Sequence, residues 1–95
     1  MTVGEQYATI ATLSSGGTLD IRPSSGVEAI IHNIYYANSI DIYFSNDTLS
    51  IKIASRPDNG DLQGYWHVSN SYFLRIIDTS NVGNTVGVDG FVSKG

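Results

Sequence analysis

The clearest alternation of apolar and polar positions lies in residues 27–55. This stretch holds three runs rich in β-branched and aromatic residues, separated by the polar segments 37–39 and 45–48. The second and third runs alternate with a period of two, which is typical of strands with one buried face. The pattern therefore predicts three consecutive strands joined by two turns.

The second turn predicts a specific hairpin. Asn46 and Asp47 tolerate the positive φ angles of a two-residue primed turn, so we expect them to occupy its centre. The resulting register puts apolar pairs on the core face and polar pairs on the solvent face: Phe44 with Leu49, Ile42 with Ile51, Ile40 with Ile53, Tyr43 with Ser50, and Asp41 with Lys52.

Shorter alternating runs predict the remaining strands. We expect them at residues 18–22, 65–68, 71–77 and 85–93, with a polar loop over 56–64. Residues 1–13 form either an N-terminal arm or an edge strand, and residues 14–95 form one domain. Gly87 and Gly90 within the last strand indicate a bulge or a close backbone approach. Seven to eight short strands without a substantial helix predict an all-β fold, a single antiparallel β-sandwich of Greek-key or jelly-roll-like topology.

The run 27–36 is apolar on both of its faces. Alternation puts Ile30, Ile34 and Tyr36 on one side together with Glu28 and His32, while the opposite side is also apolar. One side is the core, so the other is covered by a loop or by another subunit. The candidates for an oligomer or partner interface are Tyr7, Ile30, His32, Ile34, Tyr43, Tyr65 and Trp66.

Charge and cysteine content exclude several classes of function. Charged residues make up 15% of the chain, and five scattered cations against nine acids give a net charge of −4, so a nucleic-acid-binding surface is not expected. The absence of cysteine excludes disulfides, thiolate metal sites and thiol redox motifs. No secretory signal or membrane-spanning run is visible, so we expect synthesis in a cytoplasm and no membrane partner.

Candidate chemistry is sparse. His32 and His67 lie in apolar strands without an evident third metal ligand, and residues 58–61 resemble an ordinary turn more than a calcium loop. No paired carboxylates, nucleophile elbow or phosphate-binding loop is present, so we expect no enzyme, no cofactor and no metal site. Tyr65 and Trp66 are either an exposed platform for sugars or part of the core.

Three segments carry a resemblance to known proteins. They are SSGVEAIIHNIYYANSIDIYFSNDTLSIKIAS (24–55), GYWHVSNSYFLRIIDTS (64–80) and VGVDGFVSKG (86–95). Their order resembles that of small virion proteins of tailed bacteriophages that decorate the capsid or build fibres on it. The resemblance covers residues 18–95.

The resemblance implies a decoration or cement protein on the capsid surface of the virion. It also implies a homotrimer that binds the major capsid protein at local threefold positions of the assembled head. On this interpretation the N-terminal residues grip the capsid or exchange between subunits. The alternative is a carbohydrate- or receptor-binding module of a phage fibre or tail, with glycan held by Tyr65 and Trp66.

Overall fold

Eight strands and no helix make up the computed structural model, which describes residues 1–95. The prediction of an all-β chain is confirmed. In chain order the strands are β1 (Gln6–Leu13), β2 (Thr18–Ile21), β3 (Glu28–Tyr36), β4 (Ile40–Ser45), β5 (Ser50–Arg56), β6 (Gly60–Ser69), β7 (Phe73–Asp78) and β8 (Asn84–Lys94).

The strands form two antiparallel sheets of four strands each. The first sheet has the order β1-β8-β3-β6 and the second has the order β2-β7-β4-β5. Ile31 and Ile34 of the first sheet share one buried cluster with Ile42 and Ile76 of the second. The two sheets therefore pack on a common apolar core in a sandwich-like arrangement.

A bulge in β3 changes which side chains face that core. The register against both neighbouring strands shifts between Ile31 and Asn33. Ala29 and Ile31 point inward before the shift, and Ile34 and Tyr36 point inward after it. The uninterrupted alternation that put Ile34 and Tyr36 on the outer face is therefore wrong.

The β4–β5 hairpin also differs from its predicted register. Ser45 pairs with Ser50, so the turn has four residues rather than two, and the register shifts again between Ile42 and Tyr43. The Asn46 Oδ1 accepts hydrogen bonds from the backbone N–H groups of Thr48 and Leu49, and these bonds hold the turn. None of its four residues has a positive φ angle.

The new register leaves predicted core residues in solvent. Ala54, rather than Ile51, lies opposite Ile42. Leu49 is 69% exposed, Ile51 66% and Ile53 42%, so their predicted burial is wrong. The predicted Asp41–Lys52 ion pair does form, with 3.2 Å between the Lys52 Nζ and the Asp41 Oδ2.

Two further segments form strands beyond their predicted limits. β6 begins at Gly60 rather than at Tyr65, so the predicted polar loop shrinks to residues 57–59. Of the two alternatives for the N-terminal region, residues 6–13 adopt the edge strand, β1, which pairs with β8. Gly4 and Glu5 extend this contact through backbone hydrogen bonds with Val92.

Candidate docking surface

The charged and imidazole side chains form small groups of ion pairs and hydrogen bonds on the surface. No three His, Asp or Glu side chains lie close enough together to hold a metal ion. The His67 Nε2 lies 2.6 Å from the Glu28 Oε1, and the Lys94 Nζ lies 3.6 Å from the other oxygen of that carboxylate. The chain has no helix that is long and apolar enough to cross a membrane.

Asp78 is the buried acid of the chain, and its carboxylate accepts hydrogen bonds that join neighbouring segments of the fold. Burial acts to raise the pKa of its carboxyl, but hydrogen bonds from Ser80, the Gly16 N–H and Asn84 outweigh burial and hold the pKa below its usual value. Ser80 and Gly16 lie in the β7–β8 and β1–β2 loops, and Asn84 is the first residue of β8, so all of these donors lie at one end of the two sheets. The carboxylate is therefore fully engaged in holding loops together.

The outer face of the first sheet carries a group of apolar and aromatic side chains, which we call the outer aromatic cluster: Ile30, His32, Tyr65 and Phe91. The His32 ring stacks on Phe91 at a centroid distance of 5.4 Å and lies nearly perpendicular to the Tyr65 ring at a centroid distance of 5.5 Å. Ile30 pairs with Phe91 across the strands and is only 6% exposed, whereas Tyr65 is 68% exposed. The cluster thus has a buried base and an exposed aromatic rim.

Local sequence explains why these side chains meet. The bulge leaves His32 without a directly paired residue on β8. The adjacent Gly90 lets β8 approach closely, because a Cβ there would lie 1.9 Å from the Ile30 carbonyl oxygen. With no side chain at Gly90, Phe91 can lie against His32 on the outer side of the sheet.

The residues predicted as interface candidates occupy four different environments. Ile30, His32 and Tyr65 come together in the outer aromatic cluster. The other four, Tyr7, Ile34, Tyr43 and Trp66, do not join them. Whether any of the exposed candidates contacts a partner stays a prediction.

Each of these four has a distinct position. Ile34 is fully buried in the core, and Tyr7 and Trp66 pack against that core from β1 and β6. The Trp66 ring lies 2.7 Å from where a side chain on Gly64 would begin, so the indole covers that glycine. Tyr43 lies on the second sheet, with the Lys52 Nζ 5.9 Å from its ring centroid.

Phe91 is the member of the cluster that was missing from the predicted interface. Its signal is present in the sequence, because alternation along β8 puts Phe91 on the side opposite Val86, Val88 and Val92. An aromatic residue facing away from three valines indicates a second apolar surface. The cross-strand position of His32 could not be read in the same way, since it depends on the bulge.

A second apolar surface lies at the β5 edge of the other sheet, and we call it the β5 patch: Phe44, Leu49, Ile51 and Tyr72. Phe44 stacks on Tyr72 at 6.0 Å, and the four side chains line a depression of about 110 Å³. Each of them is at least 38% exposed. Sequence reasoning missed this patch because it placed Phe44, Leu49 and Ile51 in the core.

The rest of the second sheet has a polar outer face. Phe73 is fully buried there beneath two guanidinium groups, Arg22 at 4.5 Å and Arg75 at 5.6 Å from its ring centroid. Arg75 also forms two hydrogen bonds with Asp20, which raise the pKa of Arg75 above its ordinary value. Charged pairs thus cover the outer face of β2 and β7, and the exposed aromatic rings of this sheet are confined to the β5 patch.

Comparison with known proteins assigns no family. No model of a protein family matches the chain, and no curated protein matches it.

Proposed function

We propose that this chain is a non-enzymatic structural protein that docks through its outer aromatic cluster onto a larger protein assembly. The resemblance stated above makes the assembled head of a tailed bacteriophage the proposed assembly, with the chain as a decoration protein on the major capsid protein. The observation that carries the proposal is the aromatic rim of Tyr65 and His32, which is supported by Ile30 and Phe91.

The composition of the cluster supports docking on protein. Aromatic side chains are enriched at the centres of protein interfaces, because they contribute a large contact area at a low cost in conformational entropy. Ile30 and Phe91 support the rim from below, so Tyr65 and His32 need little reordering to bind. The neighbouring Glu28, His67 and Lys94 supply the polar margin that such interfaces usually have.

The strand order supports a jelly-roll topology as the finer description of the fold. Only the β4–β5 connection stays within one sheet, whereas every other connection passes between the sheets. Eight strands in two sheets are typical of jelly rolls, a fold that occurs in viral capsid and lectin domains. Fold alone does not define function, so this topology adds only a consistent context.

The proposed mechanism is stabilisation by mass action. A protein that binds only the assembled shell stabilises that state by its binding free energy. If three copies sit together at a local threefold position, as the resemblance implies, one seated subunit raises the effective concentration of the other two. No catalytic step is needed.

Co-sedimentation with assembled capsids that lack the chain tests the proposal. We expect the wild-type chain to bind, and His32→Ala and Tyr65→Ala to weaken binding roughly tenfold or more, as loss of an interface anchor does. Tyr72→Ala is the matched control, because Tyr72 is 53% exposed but lies in the β5 patch. Absence of binding, or a loss caused by Tyr72→Ala alone, would overturn the proposal.

Imaging of decorated capsids provides a separate test of stoichiometry. The resemblance implies three copies around each local threefold position of the shell. Density at other positions would contradict the trimeric arrangement while leaving docking through the outer aromatic cluster intact.

A glycan-binding module is the second candidate, and one observation favours it: Tyr65 is 68% exposed on a sheet face. Trp66, the other proposed platform residue, instead packs against the core and covers Gly64. A glycan array distinguishes the two functions, because specific sugar binding that Tyr65→Ala abolishes would support the module. Capsid binding without any sugar signal would support decoration.

A further inference from the structure

We propose that β1 pairs with β1 of a second copy of this chain, in antiparallel register about Thr9, to form a twofold dimer. The inference concerns a sheet edge rather than the outer aromatic cluster, so it is independent of the proposed docking. It replaces the trimer that the resemblance implies, and a light-scattering mass of three chains would contradict the dimer. It rests on a comparison of the four sheet edges and on the self-complementarity of β1.

The four edges of the two sheets differ in how they are protected. An edge strand presents unpaired backbone groups, and proteins usually block such pairing with short strands, bulges or charges. β2 has only four residues, including Asp20. β5 has a register shift and carries Lys52 and Arg56. β6 has a register shift, two glycines and Asp61.

β1 has none of these protections. Its eight residues contain no charge, proline or glycine. They pair with β8 in eight consecutive positions, Gln6 with Phe91 through Leu13 with Asn84, without a register shift. A regular, uncharged edge of this length is a template for another strand.

The sequence of β1 complements itself when the twofold axis passes beside Thr9. On one face Thr9 meets its own copy and Tyr7 meets Ala11 of the second copy, while on the other face Ala8 meets Ile10. A twofold axis perpendicular to the sheet keeps side chains on their own faces, so apolar residues meet apolar residues.

Ile10 is the apolar side chain whose exposure to water this pairing would reduce most. It is 79% exposed on the outer side of β1, where it lies over Gly87. In the pair, Ala8 of the second copy lies beside Ile10 and shields it from water. Antiparallel pairing over the seven residues 6–12 also contributes roughly six to eight backbone hydrogen bonds, because alternate residue pairs exchange two bonds each.

Light scattering of the purified chain, without capsids, tests the proposal with three matched substitutions. We expect the wild type to have twice the chain mass of 10.3 kDa, and Ile10→Lys to return the mass to that of one chain. Leu49→Lys, in the β5 patch, and Val82→Lys, which is 83% exposed on the β7–β8 loop, should leave the dimer intact. The β circular dichroism spectrum of each variant shows that it is folded.

Cysteine trapping tests the register directly, because the chain has no native cysteine. Directly opposed residues of antiparallel strands have Cα atoms roughly 4.5–5.5 Å apart, which a disulfide can bridge. We expect Thr9→Cys to form a covalent dimer on oxidation, and Thr12→Cys, which would face Gln6 of the second copy, to remain uncoupled.

Three further outcomes would overturn the proposal. These are a monomer at every concentration, an oligomer that Leu49→Lys but not Ile10→Lys dissociates, and an oligomer in which Thr9→Cys does not couple. Ile10→Lys should also retain capsid binding, so loss of the dimer and loss of docking are separate results.

Discussion

The Nδ2 of Asn84 donates a hydrogen bond of 3.2 Å to the Oδ1 of Asp78, and both side chains are almost completely buried. The Oδ1 of Asn84 accepts from the N–H groups of Ala37 and Asn38, so one side chain joins the β3–β4 loop to the start of β8. Asp78 meanwhile accepts from Gly16 in the β1–β2 loop. Because Ser80 of the β7–β8 loop also donates to Asp78, this pair holds three loops at one end of the two sheets.

We expect Asn84→Ala to lower the free energy of unfolding by about 2 kcal/mol, because it leaves the partly buried N–H and C=O groups of Asn38 without their partner and removes a hydrogen bond to Asp78. Urea denaturation followed by circular dichroism measures the change. Asn59→Ala, on the exposed β5–β6 turn, is the control and should change stability by less than about 0.5 kcal/mol. A negligible effect of Asn84→Ala would show that water or other groups replace its hydrogen bonds.

Asp78 predicts loss of stability in acid. The pKa of the Asp78 carboxyl is lower in the folded chain than in the unfolded chain. Its contribution to the free energy of unfolding is therefore fully present above the unfolded pKa of about 3.9 and is lost as pH falls through the lower folded pKa. Unfolding free energies of the wild type and Asp78→Asn should differ most near neutral pH and converge in acid.

Ser80→Ala provides an intermediate case for the same pH series. The Ser80 hydroxyl donates to the Asp78 carboxylate at 2.8 Å, so its removal should reduce the lowering of the pKa. At neutral pH the unfolding free energy of Ser80→Ala should therefore lie closer to that of Asp78→Asn than the wild-type value does. A difference between wild type and Asp78→Asn that stays constant with pH would contradict the role given to this carboxylate.

The two glycines of β8 predict unequal effects of the same substitution. A Cβ on Gly90 would lie 1.9 Å from the backbone oxygen of Ile30, which cannot move without disturbing β3. Gly90→Ala should therefore cost about 3 kcal/mol or more and disturb the outer aromatic cluster.

Gly87 is the matched control, because its new Cβ would meet Ile10 and Thr9 at 3.2 Å. Gly87→Ala should cost about 1 kcal/mol, since a small displacement of the edge strand relieves the contact. Thermal unfolding of both variants measures the difference. Equal melting temperatures would show that the approach of β8 to β3 is less close than the structure has it.

The sequence predicted the class of fold because alternation survives wherever a strand is regular. It predicted a close approach at Gly87 or Gly90, which the structure confirms. It did not reveal that this approach accompanies the bulge beside His32, since a bulge depends on the neighbouring strand. One inserted residue reverses every later side chain, and Ile34 was misplaced for that reason.

Other features depended on contacts between distant parts of the chain. Asp78 and Asn84 look like loop residues in the sequence, because their partners come from loops up to 62 residues away. The start of β6 looked like a loop because an exposed edge strand can be polar on both faces. Of the outer aromatic cluster, Ile30, His32 and Tyr65 were predicted as interface candidates, but their mutual contact was not.

Ile34 provides the sharpest test of the bulge. Uninterrupted alternation predicts that Ile34→Asp dissociates an oligomer and leaves the β spectrum unchanged. Since Ile34 is fully buried among residues of both sheets, we expect the variant to unfold instead. An unpaired carboxylate in an apolar core costs several kcal/mol, which approaches the total stability of roughly 5–10 kcal/mol for a small domain.

Circular dichroism and soluble yield measure this outcome, with Val82→Asp as the control at an 83% exposed position. The control should keep the wild-type spectrum, because its carboxylate stays hydrated. A folded Ile34→Asp chain would place Ile34 on the surface and remove the bulge beside His32. The outer aromatic cluster requires that bulge, so the same result would also remove the surface through which docking is proposed.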